Sequence, residues 1–230
     1  PHHENEAAQT RCSSGQNLAK YWMHNGFVNI DGEKMSKSLG NSFFLKDVLK
    51  SYSGEIIRFY LMSAHYRANF NFNEEDLISS KKRLDKLYRI KKRVYGMEAS
   101  IVNAKFKEDL LNALNDDINT SKALSLIDEM ISNANDKLDA NAKDKNLKKE
   151  LIANILFIND ILGIGFNDAY EYFQFGIDEQ TKSKIETLIE KRNEAKKVKD
   201  FATADAVRDE LTTLEISLMD TVNGTVWEKL

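Results

Sequence analysis

Hydrophobic and polar positions recur through most of this chain with the spacing of helices that bury one face. Residues 2–12 predict a helix with acids in its first turn, where the helix dipole favours them, and Ser13-Ser14-Gly15-Gln16-Asn17 ends it. The aromatic and β-branched run from Tyr21 to Ile30, with Asn25-Gly26 and Asp31-Gly32, predicts short strands joined by turns. From Leu45 to Met62 the pattern is helical, with Leu45, Val48 and Leu49 on one short face and Ile56, Ile57, Tyr60 and Leu61 on another. Asn73-Glu74-Glu75-Asp76 predicts a capped helix start, and that helix runs to Tyr95 and stops at Gly96.

Between residues 105 and 162, Leu110, Leu111 and Leu114 define one apolar stripe, and Ala123, Leu124, Ile127, Met130 and Ile131 another, with Thr120 as the expected N-cap. Residues 135–149 read as a polar loop or a solvated helix end. The run from Leu151 to Leu162 predicts a strongly apolar helix stopped by Gly163 and Gly165. Antiparallel packing of three or four such helices buries these stripes. Residues 166–177 read as a linker. Beyond them, Ile185, Leu188 and Ile189 form one helix face and Ala202, Ala206, Val207 and Leu211 the next. Ile216, Leu218, Val222, Val226 and Trp227, around Asn223-Gly224, predict a terminal β-hairpin. The expected units are 1–62, a helical bundle over 63–165, the linker 166–177 and a small domain over 178–230.

The 230 residues are 42% hydrophobic and 30% charged, which permits a core and argues against global disorder. The net charge of −3 supplies no general cationic field, so any nucleic-acid contact must use local patches. The single cysteine, Cys12, excludes an internal disulfide, suits a reducing compartment and reads as buried or half-exposed. No apolar run approaches the roughly 20 residues of a membrane span, and a cytoplasmic location without a membrane partner is expected. The chain opens on Pro1, as though a longer protein were entered partway through.

Three clusters carry chemistry. Lys34-Met35-Ser36-Lys37-Ser38 lies between Gly32-Glu33 and Leu39-Gly40, where two ammonium groups on a glycine-framed loop can neutralise a polyphosphate as its charge develops. His2 and Glu6, four apart, share a helix face and form half of an acceptable zinc site, with His3 beside them. Lys81, Lys82, Arg83, Lys86, Arg89, Lys91, Lys92 and Arg93 include one acid, Asp85; this is either a solvated face or a surface for nucleic-acid phosphates.

The KMSKS pentapeptide is identical to a signature of class I aminoacyl-tRNA synthetases. With PHHENEAAQ at 1–9, GEKMSKSLGN at 32–41, SAHYRANFNFNEEDL at 63–77, LNDDINTSKAL at 114–124, KKVKDFATADAVRDEL at 196–211 and GTVW at 224–227, the chain resembles cysteinyl-tRNA synthetases over nearly its whole length. Members of that family usually carry Trp where Phe201 stands and Pro near Val222. The resemblance implies a mainly α chain. It would hold the tail of an α/β, Rossmann-like nucleotide-binding domain, then an antiparallel helical bundle, then a small α+β domain that reads an anticodon. It implies ATP-dependent activation of cysteine, with Mg, and transfer to tRNA(Cys). Lys37 and Lys34 would act on ATP, with Met35 against the nucleotide. His2 and Glu6 would ligate zinc with two cysteines that Cys12 does not replace, so the segment alone is expected to be inactive and to bind zinc weakly. Lys82, Arg89, Lys92, Arg192, Lys196 and Arg208 are candidate tRNA contacts, and Trp227 a candidate stacking platform or a core residue. The alternatives are a cysteine ligase of thiol biosynthesis on the same scaffold, and a non-catalytic tRNA-binding module.

Overall fold

A computed structural model of the chain describes residues 2–30, the backbone of 33–34, and residues 45–221 and 224–229. Helix α1 (His2–Ser14) has no buried residue, and Gly15 ends it in the left-handed region at φ 69°. Cys12 on this helix is exposed, contrary to the expectation of a buried or half-exposed thiol, because among the described residues no other element buries any side chain of α1. Among the described residues from Tyr21 to Lys34, the strands are β1 (Val28–Ile30) and β2 (Glu33–Lys34). They pair antiparallel, and β1 also pairs in parallel with β3 (Phe70–Phe72). A parallel pair agrees with the α/β sheet that the resemblance implies.

Tyr52 and Ser53 interrupt the Leu45–Met62 helical pattern, giving α2 (Leu45–Ser51) and α3 (Gly54–Met62). Helices α4 (Glu74–Arg93), α5 (Ala104–Asn115), α6 (Thr120–Ala140) and α7 (Lys145–Leu162) follow. From α3 to α7 each helix opens on a Ser, Asn or Asp whose side chain accepts a backbone N–H three residues on. For α6 this residue is Asn119, bonded to the Lys122 N–H at 3.1 Å; Thr120, expected as the cap, is the first helical residue. The polar stretch after residue 135 remains helical to Ala140, since Ala134 and Leu138 extend the buried stripe of Ile127, Met130 and Ile131. The loop shrinks to 141–144.

The core joins Leu77, Leu84, Leu87 and Ile90 of α4, Leu110 of α5, Leu124 and Ile127 of α6, and Ile155 and Ile158 of α7. It continues into Ile56, Ile57, Phe59 and Tyr60, so α3 packs as part of the bundle. Leu45, Leu49 and Leu61 remain exposed beside it. Among the described residues, one carboxylate lies buried within this core. Glu55 is 3% exposed. Its carboxylate accepts the Tyr88 hydroxyl at 2.8 Å, the Asn167 side-chain amide at 2.8 Å and the backbone N–H of Gly165. Burial, and then the charge of Glu55, push the Tyr88 hydroxyl well above its ordinary pKa, so it stays a donor. Lys91, whose pKa burial lowers, donates to the carbonyls of Gly165 and Asn167 at 2.8 and 2.5 Å. Arg58 donates to the last α7 carbonyl, Leu162, at 2.6 Å, and Gly163 turns left-handed against it.

The segment read as a linker holds a 3-10 helix, Glu171–Gln174, and buried Ala169, Tyr170 and Tyr172. Tyr172 stacks on Tyr88 with centroids 3.7 Å apart. Beyond it, α8 (Glu179–Lys197), α9 (Phe201–Thr213) and the hairpin β4 (Ile216–Thr221)–β5 (Gly224–Lys229) enclose a second core of Ile185, Ile189, Val207, Leu211, Ile216 and Trp227. Glu55→Leu leaves three donors unsatisfied inside the first core. It should lower the stability of the chain by about 3 kcal/mol or more, read as the shift in urea midpoint at unchanged slope.

Candidate functional site

The predicted site residues fall into four groups. Lys37 and Met35 lie outside the described residues, as does Val222. Lys34 closes β2, and its backbone pairs in register with Asn29 of β1. The base of the lysine loop is thus a hairpin on the parallel strand pair. That hairpin is anchored from behind. The Gly26 N–H donates to the Tyr66 carbonyl at 2.8 Å, and a Cβ at Gly26 would sit 2.1 Å from the Ala68 oxygen, so only glycine fits. The Phe27 N–H donates to the Asn69 side chain at 3.0 Å.

His2 and Glu6 are both exposed on α1, one turn apart. Among the described residues no third His, Cys, Asp or Glu joins them in a group that could hold a metal. Their donor types and spacing fit one half of a tetrahedral zinc site. His3 turns elsewhere: its Nδ1 lies 2.9 Å from His24 Nε2, and its ring lies 5.7 Å from that of Trp22. His24 and Trp22 were not singled out as site residues; the aromatic run that contains them reads equally well as a strand.

The basic stretch of α4 is much less free than its composition implies. Lys81 pairs with Asp85 at 2.9 Å, Arg83 with Asp128 at 2.7 Å and Arg93 with Asp139 at 2.5 Å, while Lys91 is spent on the carbonyls described above. Lys92 reaches Glu228 of β5 at 2.5 Å. Among the described residues, Lys82 and Lys86 have no ion-pair partner; they are exposed with Arg89, whose guanidinium lies over the Phe173 ring at 5.8 Å. Positions 82, 86 and 89 share one helix face. That face borders a groove of about 400 Å³ lined by Lys86, Arg89, Lys92, Arg93, Asn135 and Met219.

In the C-terminal unit, Arg192 is 8% exposed and grips Asp220 through two bonds of 2.9 and 3.0 Å. Lys196 reaches the same carboxylate at 2.9 Å. Trp227 is 6% exposed within the second core, and its carbonyl accepts from Gln174. Arg208 and Phe201 are exposed on α9. A further cluster, on motifs that the resemblance used but no site assignment did, joins residues 50 apart. Asp117 accepts the Tyr66 hydroxyl at 2.6 Å and Arg67 Nε at 2.6 Å, and Asp117 and Ile118 both adopt φ near 54°.

The family model for the class I (C) tRNA synthetase catalytic domain matches residues 1–82, and the DALR domain model matches residues 110–167. A cysteine–tRNA ligase of Aliarcobacter butzleri is 83% identical over 230 residues, all of this chain and 49% of that protein. Those of Sulfurovum sp. and Helicobacter pylori are 65% and 60% identical, again over all of this chain and 49% of theirs. The chain spans about half the length of the curated relatives it matches. A LeuRS–tRNA–LeuAMS ternary complex from Agrobacterium radiobacter superposes at a TM-score of 0.52 with 16% identity, over 65% of this chain and 22% of that one.

Asp220 has a checkable pH signature. The bonds from Arg192 and then Lys196 hold its carboxyl well below the ordinary value of 3.8. A carboxyl depressed on folding adds stability above its unfolded pKa, and that stability drains away as pH falls through the folded value. Asp220→Asn should therefore cost about 1–2 kcal/mol at pH 7, discounted for the partial exposure of Asp220, and progressively less below about pH 4. Urea melts of both proteins at pH 7 and pH 3 read the difference.

Proposed function

We propose a function from this premise: the chain belongs to the cysteine–tRNA ligase family. The longer protein that carries it activates cysteine with ATP to cysteinyl-adenylate and transfers the cysteinyl group to tRNA(Cys), in the cytoplasm. The observation that carries this reading is the sequence Lys34-Met35-Ser36-Lys37-Ser38 directly after the β1–β2 pairing, within a chain 83% identical to a cysteine–tRNA ligase.

In that reaction the cysteine carboxylate attacks the α-phosphorus of ATP. The α–β bridging oxygen leaves with pyrophosphate, on which negative charge accumulates. Lys37, assisted by Lys34, would meet that charge, and Met35 would lie against the nucleotide; a well-positioned donor of this kind is worth roughly 3–4 kcal/mol in the transition state. Zinc, when bound, supplies a soft Lewis acid that favours the cysteine thiolate over a serine hydroxyl. His2 and Glu6 would hold it, and α1 sets their spacing. The helical units then receive the tRNA. Lys82 and Arg89 contact phosphates, and the unit from 178 to 230 approaches the anticodon with Arg208 exposed. The same geometry weakens the case for Arg192, Lys196 and Trp227 as direct RNA contacts, since each is already engaged inside the domain. No helix of the described residues is long and apolar enough to cross a membrane.

Lys37→Ala in the full-length protein should slow cysteine-dependent pyrophosphate exchange by about 10²–10³-fold with little change in the KM for ATP. Unchanged exchange would refute the role. Reversing Lys82 and Arg89 together to Glu should weaken tRNA(Cys) binding at low salt and flatten its salt dependence by about two phosphate contacts. Filter binding across a salt series measures both.

A further inference from the structure

Lys92 sits where the helical bundle meets the C-terminal unit, and its surroundings assign it a different task from its neighbours on α4. Its ammonium lies 2.5 Å from Glu228 of β5, with the two side chains only 14% and 21% exposed. It also lies over two aromatic rings, 5.1 Å from the centre of Tyr170 and 5.3 Å from that of Phe173. Tyr170 is buried, packs edge-on against Tyr95 at the end of α4, and donates its hydroxyl to Met219 Sδ of β4 at 2.8 Å. Gln174 adds a bond of 2.9 Å to the Trp227 carbonyl. One cation is thus held by an anion from the hairpin and two rings from the 166–177 segment, out of reach of most solvent screening. Beside this joint lies the 400 Å³ groove. The bundle lines it with Lys86, Arg89, Lys92, Arg93 and Asn135, and the hairpin with Met219. The groove has two walls only while the hairpin stays docked.

We propose that Lys92 and Glu228 form a latch that fixes the C-terminal unit on α4. The latch keeps the groove formed in advance for an RNA backbone, which Lys86 and Arg89 contact. Lys92 is then a positioning residue rather than a phosphate ligand. The proposal rests on the tRNA-binding reading given above. It goes beyond that reading by assigning separate roles to cations that look equivalent in sequence. Fixing the unit in advance raises its effective concentration at the RNA once the bundle has bound.

The two roles predict opposite signs for one conservative change. Glu228→Gln removes a negative charge near the RNA path and frees Lys92. If Lys92 contacts phosphate, this change tightens RNA binding. If Lys92 is a latch, it weakens binding by about threefold to tenfold. The experiment is binding of transcribed tRNA(Cys) to the full-length protein at two salt concentrations. It compares wild type, Glu228→Gln, and the swap Lys92→Glu with Glu228→Lys. The latch requires weaker binding in Glu228→Gln with a larger radius of gyration by X-ray scattering, and recovery of both in the swap. Binding that is tighter or unchanged in Glu228→Gln overturns the latch. If Arg89→Glu weakens binding in the same assay, that failure belongs to the latch alone. If Arg89→Glu also has no effect, it is the RNA reading of this face that fails.

Discussion

A carboxylate taken out of water must recover its hydrogen bonds from the protein, and the rest of this structure is arranged around how Glu55 does so. Tyr88 of α4 and residues 165–167, which lie 110 or more positions further along, supply the donors. Three elements distant in sequence are thereby fixed to one pair of oxygens. Apolar packing alone would tolerate small slides of α3 along α4, since burial is non-directional. A hydrogen-bonded charge tolerates none without leaving a donor or an oxygen unpaired. The geometry that follows depends on this registration. Lys91 is drawn to the carbonyls of Gly165 and Asn167, Tyr172 stacks on Tyr88, and the chain leaves the bundle at a defined point.

The same logic explains why the basic helix is mostly inward-looking. Eight cations against one anion over residues 81–93 of α4 would repel one another in isolation. In the folded chain Asp85, Asp128, Asp139 and Glu228 answer four of them, and two backbone carbonyls answer a fifth. What remains facing water is a single line through Lys82, Lys86 and Arg89. A net charge of −3 is compatible with nucleic-acid binding for this reason: the cations are sorted by position rather than held in excess.

Much of this was legible before any coordinates. Helix existence followed from periodicity, and Asn73, Gly96, Gly163 and the hairpin turn marked boundaries through local chemistry that tertiary contacts do not override. The lysine loop, the HxxxE pair and the family resemblance were plain in the letters. What failed to show were the tertiary choices. Asn119 and Thr120 are both good caps, and the left-handed residues Asp117 and Ile118 decide between them. Residues 135–140 are polar on most positions, and the burial of Leu138, with the bonds of Arg93 to Asn135 and Asp139, favours the helix there. Trp227 and Arg192 have side chains suited to RNA, and nothing in their neighbours along the chain reveals that Ile185 and Asp220 occupy them. The 166–177 segment reads as a linker from its length and its glycine, whereas its tyrosines are packing residues for helices far away in sequence.

The bundle and the lysine-loop hairpin share a short mechanical path. Asp117, between α5 and α6, accepts from Tyr66 and Arg67. The Tyr66 carbonyl accepts the Gly26 N–H, Phe27 accepts the Phe70 N–H, and β1 then pairs with β2 at Lys34. Every step is a hydrogen bond to a backbone group or a short charged contact, and Gly26 leaves no slack, since a single added carbon would collide with Ala68. A displacement of the α5–α6 turn relative to the parallel strands must therefore either break one of these bonds or move the base of the hairpin with it. The left-handed pair at Asp117 and Ile118 is what turns the carboxylate toward Arg67, and non-glycine residues hold such backbone only where surrounding contacts enforce it. For a protein whose helical part is proposed to meet tRNA and whose hairpin is proposed to meet ATP, this path ties the relative placement of the two partly to a few exposed polar contacts. The apolar core supports the same placement from the other side, since buried Tyr60 of α3 packs against Phe70 and Phe72 of β3.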